Sequence, residues 1–116
     1  MKYMVAYNGS ESSRRALSLG MEQATKDGAE LYVVTSMEGG ANETLEDIQR
    51  VEENLREVKS LLEKDEVQGE TVQLARGLAP GEDIVEYAKE KDIAHLFIER
   101  IFMRHFLYSW FMFLMV

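Results

Sequence analysis

Asn8, Gly9 and Ser10 stand between an apolar run, residues 3–7, and a run with helical spacing that begins near residue 11. A carboxamide, a residue free to take a left-handed backbone and a hydroxyl, set at a strand-to-helix turn, have the chemistry to meet a nucleotide. The same three residues also make an ordinary turn and helix cap, because Asn and Ser are common at both. The sequence therefore poses the turn both as a ligand contact and as a local cap.

Other reactive patterns carry less. Ser10, Ser12 and Ser13 lack an identifiable His–Asp pairing for a hydrolytic triad. His95 opens an apolar run with no partner nearby in sequence, and His95 with His105 are too few for a metal cluster. The chain has no cysteine, which excludes disulfides, thiolate nucleophiles and Cys-based zinc sites. The acid pairs Glu46-Asp47, Glu52-Glu53 and Asp65-Glu66 fall on a polar helix face, with no apolar pocket to raise a pKa. Gly39-Gly40 has neither common phosphate-loop spacing and reads as a linker. No catalytic residue and no metal ligand is assigned.

The elements that must position the turn follow from periodicity. Residues 3–7 and 31–36 are short apolar runs of the kind buried on both faces of a parallel sheet. Ala16, Leu17, Gly20, Met21 and Ala24 form one apolar stripe on a helix that ends at Asp27-Gly28. Thr44 and Asp47 form a capping box with Asp in place of Glu, and Ile48, Val51, Leu55, Val58 and Leu62 then run at three-four spacing. Two heptads are too few for a coiled coil, so this stripe is read as core packing. Residues 71–76 alternate as a strand near a sheet edge would, Pro80 sits at a helix start, Ile84, Val85 and Ala88 form that helix's buried face, and residues 95–98 make a fourth apolar run.

Strand and helix alternate three times before a last strand, which predicts an open parallel α/β sheet flanked by helices, in one domain spanning residues 1–116. Ligands of such sheets lie beyond the carboxyl ends of the strands. That gathers Asn8, Gly9, Ser10, Ser36 and whatever follows Ile98 around one crevice. The net charge of −8, from 21 acidic against 13 basic residues, argues against nucleic acid as a partner. Residues 1–10 lack a secretory apolar stretch, so a cytoplasmic protein is expected, in which the glycosylation patterns at Asn8 and Asn42 are chance matches.

After Arg100 the composition changes. All 21 acids lie at or before Glu99, whereas residues 101–116 hold six of the 11 aromatic residues, one Arg and one His. This apolar tail, residues 100–116, is too short and too interrupted at Arg104-His105 for a membrane span. It reads as a buried or interface segment, and a shifted reading frame would leave the same composition.

Four pieces, in order and spacing, resemble the universal stress protein family: VAYNGSESSRRAL after the first strand, Gly28-Ala29-Glu30-Leu31, Arg76-Gly77 before DIVEYAKEKD, and HLFI. The resemblance covers about residues 2–98. It implies a Rossmann-like sheet, of the adenine nucleotide alpha hydrolase kind, with strands ordered 3-2-1-4-5, and a homodimer joined through the last strand. It also implies that some members bind ATP. In those, an Asp ending the first strand recognises the nucleoside, backbone ending the second borders the adenine, and a G-x2-G-x9-G-[S/T] loop holds ribose and phosphates.

Carried onto this sequence, the first position is Asn8, which keeps a hydrogen-bond acceptor without the charge, and the second falls near Ser36. The loop positions, counted from HLFI, are Glu99, Phe102, Met112 and Phe113, and none matches. A carboxylate at Glu99 would oppose a phosphate by about 4 kcal/mol at 4 Å and an effective dielectric of 20. The expectation is a four-stranded 3-2-1-4 core with the fifth strand open, within residues 108–116 if present. ATP binding in the family manner is not expected, and the apolar tail is the expected dimer contact. The competing expectation is an ATP- or AMP-binding switch, or slow ATP hydrolase, using Asn8, Gly9 and Ser10.

Overall fold

The computed structural model describes residues 1–37, 39, 43–98 and 112–115. Along the chain come β1 (Lys2–Ala6), α1 (Glu11–Asp27), β2 (Glu30–Met37), α2 (Leu45–Lys64), β3 (Gly69–Ala75), α3 (Pro80–Glu90), β4 (His95–Ile98) and β5 (Met112–Met115). The strands form one sheet in the order β3-β2-β1-β4-β5, with every neighbouring pair parallel. The expected 3-2-1-4 core is present, with element ends within two residues of those read from the pattern.

Local chemistry accounts for the helix limits. Ser10 caps α1, and Gly28, at φ +65°, closes it with its N–H on the carbonyl of Ala24. At α2 both halves of the capping box form: Asp47 N–H donates to Thr44 Oγ1, and Thr44 N–H to Asp47 Oδ2, each at 3.1 Å. Pro80 begins α3, where its missing N–H costs nothing.

Helices α1 and α2 cover one face of the sheet. There Val5, Leu31, Val33 and Phe97 pack with Ala16, Leu17, Met21, Val58 and Leu62. The other face packs Met4, Val34, Leu96 and Ile98 against Ile84, Tyr87 and Ala88 of α3. β3, at the edge, buries only Leu74, as its alternation implied. The opposite edge is β5, paired Met112 to His95 through Ile98 to Met115. Four residues of the apolar tail thus extend this chain's own sheet. Gly40, Ala41, Asn42, Glu99, Phe102 and His105 lie outside the described residues.

Two constraints of this packing are testable. A Cβ on Gly20 would lie 2.6 Å from Val5 Cγ2, a stiff side chain with no exposed surface, so α1 rides on β1 at glycine distance. Gly20→Val is expected to cost about 3 kcal/mol of stability in urea unfolding. The Tyr3 hydroxyl donates to Asp27 and that of Tyr32 to Glu30. These bonds to carboxylates, then burial, raise both tyrosine pKa values, that of Tyr32 to about 12. The unfolded state releases these protons first, so it binds fewer protons than the native state above the ordinary tyrosine range. Stability should therefore hold up to about pH 10 and fall from there toward pH 12, which tyrosinate absorbance and circular dichroism recorded together would follow.

Candidate functional site

The carboxyl end of β1 is fixed before the turn begins. Tyr7 N–H donates to the carbonyl of Val34 at 2.9 Å, and the buried Thr35 hydroxyl donates to the Tyr7 carbonyl at 2.7 Å. Asn8 then starts the turn, its Oδ1 accepting from the Ser10 N–H at 2.9 Å. Ser10 Oγ accepts from Ser13 N–H at 3.1 Å, the fully buried Ser13 hydroxyl donates to the Ser10 carbonyl at 3.0 Å, and Ser13 Oγ accepts from Asn8 N–H at 3.3 Å. The two serines and Asn8 thus lace the turn to the first turn of α1.

Gly9 is required here twice over. Its φ of +84° is a left-handed conformation that side chains disfavour. A Cβ on it would lie 2.6 Å from Nδ2, 3.2 Å from Cγ and 3.5 Å from Oδ1 of Asn54. The whole carboxamide of Asn54, on α2, therefore lies over the glycine. It is half-buried and makes no hydrogen bond to any described residue.

Ser36 is at the same end of the sheet, but its hydroxyl is turned to the α3 face. It donates to Asp83 Oδ2 at 3.0 Å. Asp83 is fully buried, and its Oδ1 accepts from Nε and Nη2 of Arg76, each at 2.6 Å. Arg76 also reaches Glu90 through Nη1, at 2.9 and 3.0 Å. Burial opposes the guanidinium charge, yet the bonds to Asp83 and Glu90 outweigh it and raise the Arg76 pKa above its ordinary value. These groups tie the ends of β2 and β3 to α3 and engage the Ser36 hydroxyl.

The structure thus brings Asn8, Gly9 and Ser10 together as the sequence places them, adds Asn54, and directs the Ser36 side chain elsewhere. Asn54 had a signal: it lies three residues after Val51 and four before Val58, a polar residue on an apolar stripe. Asp83 and Arg76 had none, since nothing in their spacing marks a buried ion pair. His95 is at the amino end of β4, stacked on Tyr3 with centroids 4.7 Å apart, at the opposite end from the crevice. Met112 and Phe113, counted as the last two positions of a phosphate loop, lie in β5 beside His95 and Leu96, also at the amino end. Counting by the family spacing overshoots because only residues 99–111 join β4 to β5.

Residues 1–105 match the model of the universal stress protein family. The chain is 28% identical to a universal stress protein from Archaeoglobus fulgidus, with a TM-score of 0.89 over 99% of this chain and 97% of that one. It is 31% identical to the universal stress protein from Archaeoglobus fulgidus in complex with dAMP, at a TM-score of 0.89 over 99% and 96%. A family protein from Arabidopsis thaliana with AMP bound is 14% identical, with a TM-score of 0.74 over 100% and 90%, a likeness of fold alone. No curated protein sequence matches the chain.

The ion cluster beside Ser36 makes a prediction of its own. Arg76→Met leaves a buried carboxylate without its cation, and because Arg76 is itself a third exposed the expected loss is about 2–3 kcal/mol. Adding Asp83→Leu should recover much of that loss in the same urea-unfolding assay, since no charge is then buried.

Proposed function

Because the chain belongs to the universal stress protein family, we propose that it works as a non-enzymatic stress-response module that does not grip ATP through a glycine loop. The observation that carries this reading is that the last glycine of the chain is Gly81, so the stretch that follows β4 holds none of a phosphate loop's glycines. The charge at the crevice supports it. All three helices begin at the carboxyl ends of the strands, where their dipoles favour anions, yet their first turns carry Glu11, Glu46, Asp47, Glu82 and Asp83.

A second reading concerns the nucleoside end. A relative 31% identical is described in complex with dAMP, and the turn at Asn8, Gly9 and Ser10 lies at the carboxyl end of the sheet, where ligands of such folds bind. We infer that the crevice takes the nucleoside of an adenine mononucleotide, with Ser36 contributing backbone. The remaining features of the proposal are one domain over residues 1–116, a homodimer through the open edge at β5 and the apolar tail, and a cytoplasmic setting. A cysteine-free chain suits that compartment, and among the described residues no helix is long and apolar enough to cross a membrane.

Calorimetry on nucleotide-stripped protein tests the reading. AMP and ATP are expected to bind with affinities within about threefold of each other, because the two added phosphates find no donors. An ATP dissociation constant below about 10 micromolar, with AMP at least tenfold weaker, would overturn it.

A further inference from the structure

Asn8 is the one asparagine of the chain that is followed by glycine, and the turn cannot give that glycine up. At a φ of +84°, and with Asn54 Nδ2 2.6 Å from where a Cβ would stand, position 9 admits no side chain. Its backbone nitrogen is therefore as unhindered as a main-chain nitrogen can be. Asn8 is exposed, and among the described residues nothing accepts from the Gly9 N–H. The Asn8 side chain is held by a single bond, the one its Oδ1 accepts from the Ser10 N–H at 2.9 Å. A similar pair elsewhere is closed: at Asp27-Gly28 the glycine N–H donates to the Ala24 carbonyl, and the Asp27 carboxylate accepts from the Tyr3 hydroxyl. Asn54 precedes Leu55 inside α2, where the helical backbone and the bulk of leucine keep the next nitrogen from the side chain.

We propose that Asn8-Gly9 is a self-modifying site, at which the chain converts Asn8 to aspartate and isoaspartate without an enzyme. A base takes the proton of the Gly9 N–H, and the nitrogen bonds to Asn8 Cγ to close a five-membered imide. The Cγ–Nδ2 bond breaks, and Nδ2 leaves as ammonia after taking a proton from water. A second water then opens the imide. Attack at Cγ breaks the new bond and leaves Asp at position 8, whereas attack at the main-chain carbonyl carbon breaks the original peptide bond and leaves isoaspartate, the chain then running through Cγ. Nothing is oxidised or reduced, and water is the only co-reactant. Each product carries a carboxylate where the turn had a neutral amide, beside the first turn of α1, whose N–H groups favour an anion. The products differ in what they do to the lacing. Aspartate keeps an acceptor for the Ser10 N–H and makes that bond charge-assisted. Isoaspartate adds a carbon to the backbone, so the bonds that position 8 makes with Ser10 and Ser13 lose their register.

The test holds the folded, full-length protein at neutral and at mildly alkaline pH and follows the peptide containing Asn8 by mass spectrometry. That peptide is expected to gain about 1 Da and to resolve into two products of equal mass. The rate should rise with pH, because a base must take the Gly9 proton. A single product, or a rate indifferent to pH, would mean direct hydrolysis of the side chain and overturn the assignment. A gain at Asn42 or Asn54 as fast as that at Asn8 would also overturn it. The folded protein should react within about tenfold of the rate of the same chain unfolded in guanidinium, since one exposed hydrogen bond is all that must open. A turn that protects more strongly than this contradicts the proposal. Asn8→Gln, checked for folding by circular dichroism, would have to close a six-membered ring and should show no gain in that peptide over the same period; a gain at the unmodified rate sinks the inference.

Discussion

The end of β1 is held by two hydrogen bonds at one residue. Tyr7 gives its N–H to the carbonyl of Val34 and takes the hydroxyl of Thr35 on its own carbonyl. Both partners belong to β2, so the last backbone group before the turn cannot shift without breaking a bond buried on the α1 and α2 face. From this fixed point the short lacing of Asn8, Ser10 and Ser13 carries the chain into α1 with little freedom left to lose. The position of Gly9 beneath α2 follows in turn, and with it the meeting of the turn and Asn54.

The two faces of the sheet reach this end by different means. On the α1 and α2 side the approach is steric: Gly20 lets α1 sit on Val5, and Gly9 lets a carboxamide sit on the turn. On the α3 side it is electrostatic, through Arg76 between Asp83 and Glu90. A buried pair of this sort adds little net stability compared with apolar packing, but it costs much to break. Its structural effect is to commit the Ser36 hydroxyl to Asp83, on the α3 face.

Much of this was legible in the sequence because its levels agree. The apolar runs at residues 3–7, 31–36 and 95–98, the stripes of α1 and α2, and the caps at Ser10 and Thr44 all point to alternating strands and helices. Side-chain direction within β2 was not legible. A strand buried on both faces carries no polar alternation, so nothing in residues 31–36 says that Ser36 faces α3 while Thr35 faces Tyr7. The register of β5 was hidden for a similar reason, since residues 108–116 are apolar nearly throughout and any four of them could have paired with β4. Asn54 was not singled out, because its nearness to Gly9 depends on how α2 lies over the ends of the strands.

That placement has a dynamic consequence. Asn54 lies over Gly9, and nine residues of α2, about 13 Å of helix, precede it. Leu45 there is 69% exposed, and Ile48 and Val51 are only half-buried, whereas Leu55, Val58 and Leu62 are core. Helical amides in the amino-terminal half of α2 can therefore exchange with solvent by fraying from the Thr44 cap, while those of β1 and β2 are exposed only when the whole sheet comes apart. Asn54 lies at the boundary between these two regimes, on the last turn that the core holds in place.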